Sequence, residues 1–269
     1  MSAIILRSFR ILEELSNYPK GRTLSELAAA VDIPLSATHR LLADLMQAGY
    51  VRKDDRHDDF LLTMQVVSLG LRFLSASGVV DVAQPTLERL AAKSGELVRL
   101  AVVDQDQLVY VAKAQGATQG LRYDPEMGRP VRLSCSAAGL VWLATKSDDE
   151  AIRLVTKQGM GNPADFGPAA PTSIMELMAQ VQAARKRKFA TTVNVFLPAM
   201  SSMATLVRDP RGDVIAALIV AGPMTRLTQG RMDSLGDALL AAADELGRNS
   251  NVSPVFQRRP DQPAPQLSK

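Results

Sequence analysis

Pro34 sits in the middle of Thr23–Val51, TLSELAAAVDIPLSATHRLLADLMQAGYV. Proline has no N–H and pushes the residue before it out of helical geometry, so a single helix cannot run through this stretch. On the N-terminal side, Thr23 followed three residues later by Glu26 is a capping box that starts a helix, with Leu24, Leu27 and Ala28 on one face. Beyond the proline a second helix begins near Leu35. Leu41, Leu42 and Leu45 form its apolar stripe, and Gly49 ends it. The opposite face carries Ser36, His39, Arg40 and Gln47. Two short amphipathic helices joined by a tight turn make a helix-turn-helix. The major groove of DNA admits one such helix, whose first residues reach base edges and phosphates. The same pair also occurs in all-α domains that never meet DNA, so the spacing alone leaves both readings open.

The flanks narrow the choice. Ile4–Leu15 reads as a preceding helix with Ile5, Phe9, Leu12 and Leu15 on one face. Tyr50–Thr63 reads as a short strand, a polar turn and a second strand, which is a hairpin wing. Three helices and a wing form a winged helix-turn-helix. The residues expected to meet DNA are Thr23, Ser25, Leu35, Ser36, Thr38, His39 and Arg40 in the helical motif, with Arg52 and Arg56 in the wing. The chain has a net charge of +3 and a pI near 9.1. Residues 1–63, however, hold eight Lys/Arg against nine Asp/Glu. Attraction to phosphate must therefore come from local placement. The wing carries Asp54, Asp55, Asp58 and Asp59, which repel DNA unless they turn away or pair with basic neighbours.

The segments LRSFRILEEL, LSELAAAVDIPLSATHRLLADLMQAGYV and MQVVSLG resemble the N-terminal domain of IclR-type bacterial transcription regulators. MGRPVRLSCSAAGLVWLAT and GDVIAALIVAGPMTRLT resemble that family's effector-binding domain, so the resemblance covers residues 3–248. It implies an α+β chain: a winged helix-turn-helix over residues 1–63, a linker helix over 64–78 and a GAF-like effector-binding domain over 79–249. The remainder, 250–269, is proline-rich and short of apolar residues, and is expected to be disordered. The resemblance also implies dimerisation through Met64–Lys93, as a homodimer or a dimer of dimers. Operator symmetry favours the same arrangement.

The C-terminal part supports a sheet flanked by helices. Leu97–Val103 and Gln107–Ala112 read as a hairpin, and Gly116–Tyr123 and Pro130–Ser134 as two further strands. Ala137–Thr145 is a short helix holding the single tryptophan, Trp142. Ser147 and Ser173 cap two more helices, the second ending in Arg185-Lys186-Arg187-Lys188. Met203–Asp209 and Val214–Ala221 flank the turn Pro210-Arg211-Gly212 as an antiparallel pair, and Thr228–Arg248 is a final amphipathic helix.

Composition and motif counts argue against an enzyme. The two histidines, His39 and His57, both lie in the N-terminal part, far in sequence from the only cysteine, Cys135. That leaves the cysteine without a local base. No phosphate-binding glycine loop is present, and Cys/His ligands are too few for a zinc site. No catalytic residue, metal or cofactor is expected. No apolar run reaches the ~20 residues of a membrane span, and no export signal is visible, so a cytoplasmic location is expected.

The resemblance places the effector pocket at Tyr123, Met127, Val131, Ser134, Ala137, Ala138, Thr192, Met200, Ser202, Ile219 and Ala221. Relative to the family pattern, Ile219 and Ala221 stand where serines are common, and the segment around Asn194 lacks a carboxylate. The expected effector is therefore an organic acid with an apolar body, aromatic or medium-chain, with Arg122 or Arg132 facing its carboxylate. The expected partners are a double-stranded DNA operator and this small molecule. The alternative is a DNA-binding protein whose C-terminal domain serves only oligomerisation.

Overall fold

A computed structural model describes residues 3–54, 56–125 and 127–256. Asp55 of the acidic wing and residues 257–269 of the expected tail lie outside the described residues. The chain divides into two compact units at Ala76/Ser77.

The first unit begins with α1 (Ala3–Ser16), followed by the two-residue strand β1 (Arg22–Thr23) and α2 (Leu24–Ala30). The capping box is formed: Thr23 Oγ1 accepts from Glu26 N at 3.3 Å, and Glu26 Oε2 accepts from Thr23 N at 2.9 Å. Asp32, at φ 53°, turns the chain ahead of Pro34, and α3 (Leu35–Gln47) follows. The wing is β2 (Val51–Lys53) with β3 (Asp59–Leu62), and β3 also pairs with β1 to make a three-stranded sheet in the order β1-β3-β2. Helix α4 (Met64–Ser77) comes next. Leu27, Leu41, Leu42, Leu45, Val51 and Phe60 form the core together with Ile11 and Leu15 of α1. The expected face of α1 is only partly correct. Leu15 is buried, but Ile5 and Phe9 are exposed and Ile11 takes their place inward. The apolar residues of α1 cover more than one helical face, and spacing alone does not say which face meets the core.

The second unit starts with α5 (Val79–Ser94), which leads into an antiparallel sheet of β4 (Leu97–Asp104), β5 (Gln107–Gln115), β6 (Ala190–Val193), β7 (Met200–Arg208) and β8 (Val214–Pro223). The strand order is β5-β4-β8-β7-β6. Between β5 and β6 lie α6 (Ala137–Leu143), α7 (Asp148–Gln158) and α8 (Ile174–Arg185); α9 (Gln229–Arg248) closes the domain. Side chains alternate across the sheet. Arg99, Ala101, Ala204, Ala217, Ile219, Ala221, Ser202 and Thr192 share one face by register. The alanines and Ile219 of this set pack in one cluster with α6, α7 and α8. Helices α5 and α9 attach to the sheet chiefly through β4, β5, β7 and β8. Gly139 lets α6 sit close to the segment before it, since a Cβ there would lie 2.3 Å from the Leu133 carbonyl oxygen.

Two sequence expectations need correction here. The described residues of 116–129 form an irregular loop, and of Pro130–Ser134 only Pro130 makes an isolated bridge, to Val109. Side chains satisfy this backbone in place of a ladder: Gln115 Nε2 donates to Tyr123 O at 3.0 Å and Arg226 Nη2 to Leu121 O at 2.9 Å. The second correction concerns the C-terminus. Residues 250–256 are ordered, with a 3-10 turn at Ser250–Val252 and Ser250, Ser253 and Phe256 buried. Ser253 Oγ donates to Ser77 O at 2.6 Å. A lone phenylalanine in a polar, proline-rich segment gives no periodic signal, yet one buried aromatic ring is enough to anchor a short segment.

Candidate functional sites

In the first unit, Leu35, Ser36, His39 and Arg40 lie on the exposed side of α3, and Ser25 is exposed on α2. Arg52 and Arg56 are exposed in the wing. Thr23 spends its hydroxyl on the capping box. Thr38 corrects the expectation. It is fully buried, and its hydroxyl donates within the turn toward Pro34 O at 3.2 Å and Ile33 O at 3.3 Å. A threonine three residues after Leu35 falls on the core side of the helix, because Leu41, Leu42 and Leu45 set that side. Arg22 is also engaged internally, paired with Glu14 and stacked over the Tyr18 ring at 4.3 Å.

The wing's acidity is partly neutralised in place. Asp54 accepts from Arg56 N at 3.0 Å and contacts His57 Nδ1 at 3.2 Å. The backbone bond from Arg56 and the His57 contact hold its carboxyl below the usual range. Asp58 pairs with Lys53. Both carboxylates thus make their contacts within the wing turn.

In the second unit, Tyr123 and Met127 sit on the 116–129 loop, Val131 and Ser134 on the segment leading to α6, and Ala137 and Ala138 on the first turn of α6. Register lines up Thr192, Ser202 and Ala221 across β6, β7 and β8, with Ile219 two residues from Ala221 on the same side. Met200, two residues from Ser202, is half-buried at the end of that row. Ala137, Ala138, Val131, Ile219 and Ala221 belong to one buried cluster against which Tyr123 packs. The structure thus brings together residues that are up to about a hundred positions apart in the chain.

Several polar groups of this region are already engaged. Ser134 Oγ donates to Met160 O at 3.1 Å, and Ser136 Oγ caps α6 by accepting from Gly139 N at 3.0 Å. Asn194, at φ 58°, accepts from Ala199 N at 2.6 Å and so closes its own loop. Thr192 and Ser202 share a hydroxyl–hydroxyl bond of 2.7 Å. Burial, opposed by the Ser134 hydrogen bond at Cys135 and by the Arg99 charge at Tyr123, pushes the Cys135 thiol up to about 11 and the Tyr123 phenol up to about 12. Both are neutral near pH 7, and neither is an activated nucleophile. Among the described residues, no group of three or more His, Cys, Asp or Glu side chains could hold a metal ion, and no single helix is long and apolar enough to cross a membrane.

Sequence reasoning missed Arg99. It looked for a cation at Arg122 and Arg132, and both are exposed. Arg99 is only 5% exposed in the middle of β4, opposite Ile219. Its guanidinium lies 3.3 Å from the centre of the Tyr110 ring, and Nη2 is 3.6 Å from the Met127 sulfur. Burial lowers its affinity for a proton despite the nearby tyrosines. A charged residue inside the apolar run LVRLAVV was the available signal, since arginine is almost never buried without a purpose-built environment.

Residues 71–248 match the family model described as the bacterial transcriptional regulator IclR C-terminal domain, and residues 5–55 match the IclR helix-turn-helix domain. The acetate operon repressor of Salmonella typhimurium is 28% identical over 90% of this chain and 88% of its own length. The transcriptional repressor IclR of Escherichia coli is 26% identical over 90% and 88%. Among solved structures, an IclR transcriptional regulator from Alicyclobacillus acidocaldarius superposes with a TM-score of 0.77 at 20% identity, covering 92% of this chain and 98% of that one. An IclR homologue from Microbacterium hydrocarbonoxydans, complexed with 4-hydroxybenzoate, gives 0.74 at 20% identity, covering 93% and 100%. The family is one of transcriptional regulators rather than enzymes. With a helix-turn-helix unit followed by an α+β effector-domain fold, and with both family models matched in that order, the chain belongs to the IclR family of bacterial transcriptional regulators.

Proposed function

We propose that this chain is a ligand-responsive repressor of catabolic genes, and that its effector is an organic acid with an apolar body. The observation that carries the reading is the chemistry of the sheet face under α6. Alanines and Ile219 line it, Ser134, Ser136 and Asn194 are spent on the backbone, and the Thr192–Ser202 hydroxyl pair and the Arg99 guanidinium, stacked on Tyr110, are polar groups on the same face. Such a face suits an apolar body with few fixed polar ends. It does not suit a small, highly oxygenated acid that needs many hydrogen bonds. The 4-hydroxybenzoate bound to the Microbacterium homologue is a molecule of this kind.

Operator contact falls to Ser36, His39 and Arg40 on α3, with Ser25 and Leu35 beside them and Arg52 and Arg56 flanking from the wing. The dimer forms through the exposed apolar residues of α4, among them Leu69, Leu71 and Phe73, and of α1, among them Ile5 and Phe9. The α5 half of the expected dimer segment packs its apolar side into its own domain, which narrows the interface. Ligand shifts the population between two arrangements of the paired DNA-binding units.

The test is a gel-shift titration on the DNA flanking the chain's own gene, repeated with benzoate, 4-hydroxybenzoate, phenylacetate, hexanoate, pyruvate and glyoxylate. Release by acids with an apolar body, with no response to the two oxoacids, supports the reading. Release by pyruvate or glyoxylate alone refutes the effector class, and failure to bind any of this DNA refutes the operator assignment.

A further inference from the structure

We propose that residues 250–256 are a strap that fixes the junction between the linker helix α4 and the effector domain, so that a movement in the effector domain reaches the DNA-binding unit through a held joint at Ser77–Gly78. The role in transmission rests on the reading above, that ligand shifts the DNA-binding units. The strap itself does not.

The joint is soft by its sequence. Ser77 is the last residue of α4 and the first of the second unit. Only Gly78 separates it from α5, and Gly78 stands in the left-handed region at φ 60°, ψ 3°. A Cβ there would meet nothing within 4 Å among the described residues, so glycine serves the backbone conformation and not a close approach. Glycine visits left- and right-handed conformations with similar ease, and such a joint needs outside support to keep one of them.

The support comes from the other end of the chain. Helix α9 runs antiparallel to α5. Arg231 Nη2 donates to Lys93 O at 3.2 Å, and further along Glu245 accepts from Thr86 Oγ1 at 2.9 Å and pairs with Arg89. Helix α9 stops at Arg248, while α5 extends about two more turns from Thr86 toward Val79. The following residues continue as single turns: Val252 N to Asn249 O at 3.2 Å, Ser253 N to Ser250 O at 3.1 Å and Phe256 N to Ser253 O at 3.1 Å. They bring the fully buried Ser253 hydroxyl to the Ser77 carbonyl, to which it donates at 2.6 Å. That carbonyl ends α4 and has no acceptor role within its own helix. Ser250 and Phe256, both buried, anchor the segment on either side of Ser253. Across the glycine, Ser77 Oγ accepts from Val79 N at 3.4 Å.

The bond from Ser253 falls on the peptide group between Ser77 and Gly78. Holding that peptide holds the way the chain enters the glycine. A segment that only covered apolar surface would need Phe256 and no buried hydroxyl at the joint.

The experiment uses the full chain as wild type, Ser253→Ala, Phe256→Leu and Arg153→Ala, the last a control in the exposed ion-pair network of α7. Hydrogen exchange is followed at residues 77–82. Operator affinity is measured by gel shift, well below each variant's Tm, on DNA that the wild type selects from a random duplex library. Loss of one buried hydrogen bond is worth roughly 10-fold in a local opening equilibrium. Exchange at 77–82 should quicken by about that factor in Ser253→Ala. Operator affinity should fall about 3- to 10-fold, because a loose joint adds disorder that binding must remove. Arg153→Ala should change neither. Phe256→Leu frees the segment from its far end and should show the same pattern at smaller size; it carries the test if Ser253→Ala does not fold. Unchanged exchange at 77–82 overturns the strap. Faster exchange with wild-type operator affinity reduces the segment to packing and overturns its role in transmission. Selection of no DNA by the wild type is a failure of the operator reading, and exchange at the joint then decides the strap.

Discussion

Removing Arg226 should destabilise the effector domain and loosen the loop that carries Tyr123 and Met127. Arg226 makes a two-pronged pair with Glu96, Nε to Oε1 at 2.6 Å and Nη2 to Oε2 at 2.8 Å, and Nη2 also reaches Leu121 O. The Glu96 side chain is 4% exposed and that of Arg226 37%. Glu96 lies against the backbone of Gly222, where a Cβ would come within 2.3 Å of Oε2. In Arg226→Ala the carboxylate stays buried without its partner. Breaking a fully buried pair costs about 3–5 kcal/mol. Because more than a third of Arg226 faces water, solvent recovers part of this, and about 2–3 kcal/mol is expected. For a domain of this size that is a fall of roughly 4–12 °C in Tm. Urea unfolding of wild type, Arg226→Ala, Glu96→Ala and the double variant isolates the coupling. Hydrogen exchange across residues 116–125 reads the loop and should quicken in Arg226→Ala. A loss below about 0.5 kcal/mol, the worth of an ordinary surface pair, would refute the reasoning. So would additive single variants, or unchanged exchange in the loop.

Arg40→Ala should weaken operator binding by about 1–3 kcal/mol with an unchanged circular dichroism spectrum, whereas Thr38→Ala should lower stability by about 1 kcal/mol through its lost buried hydrogen bond; gel shift and urea titration on the two variants separate these roles. Phe256→Ala should cost about 3–5 kcal/mol, as for other buried aromatics, and thermal melting of a chain ending at Asn249 should reproduce most of that loss. Hydrogen bonds from Arg153 and then Lys157 hold the Asp106 carboxyl at about 2, down from 3.8. A depressed folded-state value contributes stability that is present above about pH 4 and fades as pH falls toward 2, so the stability difference between wild type and Arg153→Ala should shrink across that window and be smaller in high salt.

Local chemistry made much of the N-terminal unit legible. A capping box, a proline break and a leucine stripe are each set by residues within a few positions of one another, and α2 and α3 follow from them; the wing follows from two short strand-like runs about a polar turn. The β4–β5 and β7–β8 hairpins were legible for the same reason, as apolar runs about short polar turns. The side of α1 that turns inward was not, because its apolar residues offer two faces and only the packed unit selects Ile11 over Ile5 and Phe9. Gly116–Tyr123 was read as a strand, but the Leu121 carbonyl is bonded by Arg226, more than a hundred residues away, and the Tyr123 carbonyl by Gln115, and no local pattern records that.

The effector face depended most on tertiary structure. The apolar character of the pocket could be read from the residues themselves, since alanines and isoleucine keep that character wherever they lie. The position of its charge could not. Arg122 and Arg132 are near those residues in sequence and are exposed, while Arg99 is buried on the same sheet face as Ile219, where a one-residue bulge brings Tyr110 against it. Side-chain direction in a strand has a period of two, so a single skipped residue decides which face a ring occupies. The amino-acid sequence by itself determined which residues are apolar, charged or able to start a helix; register, which couples strands far apart in the chain, decided which of them meet.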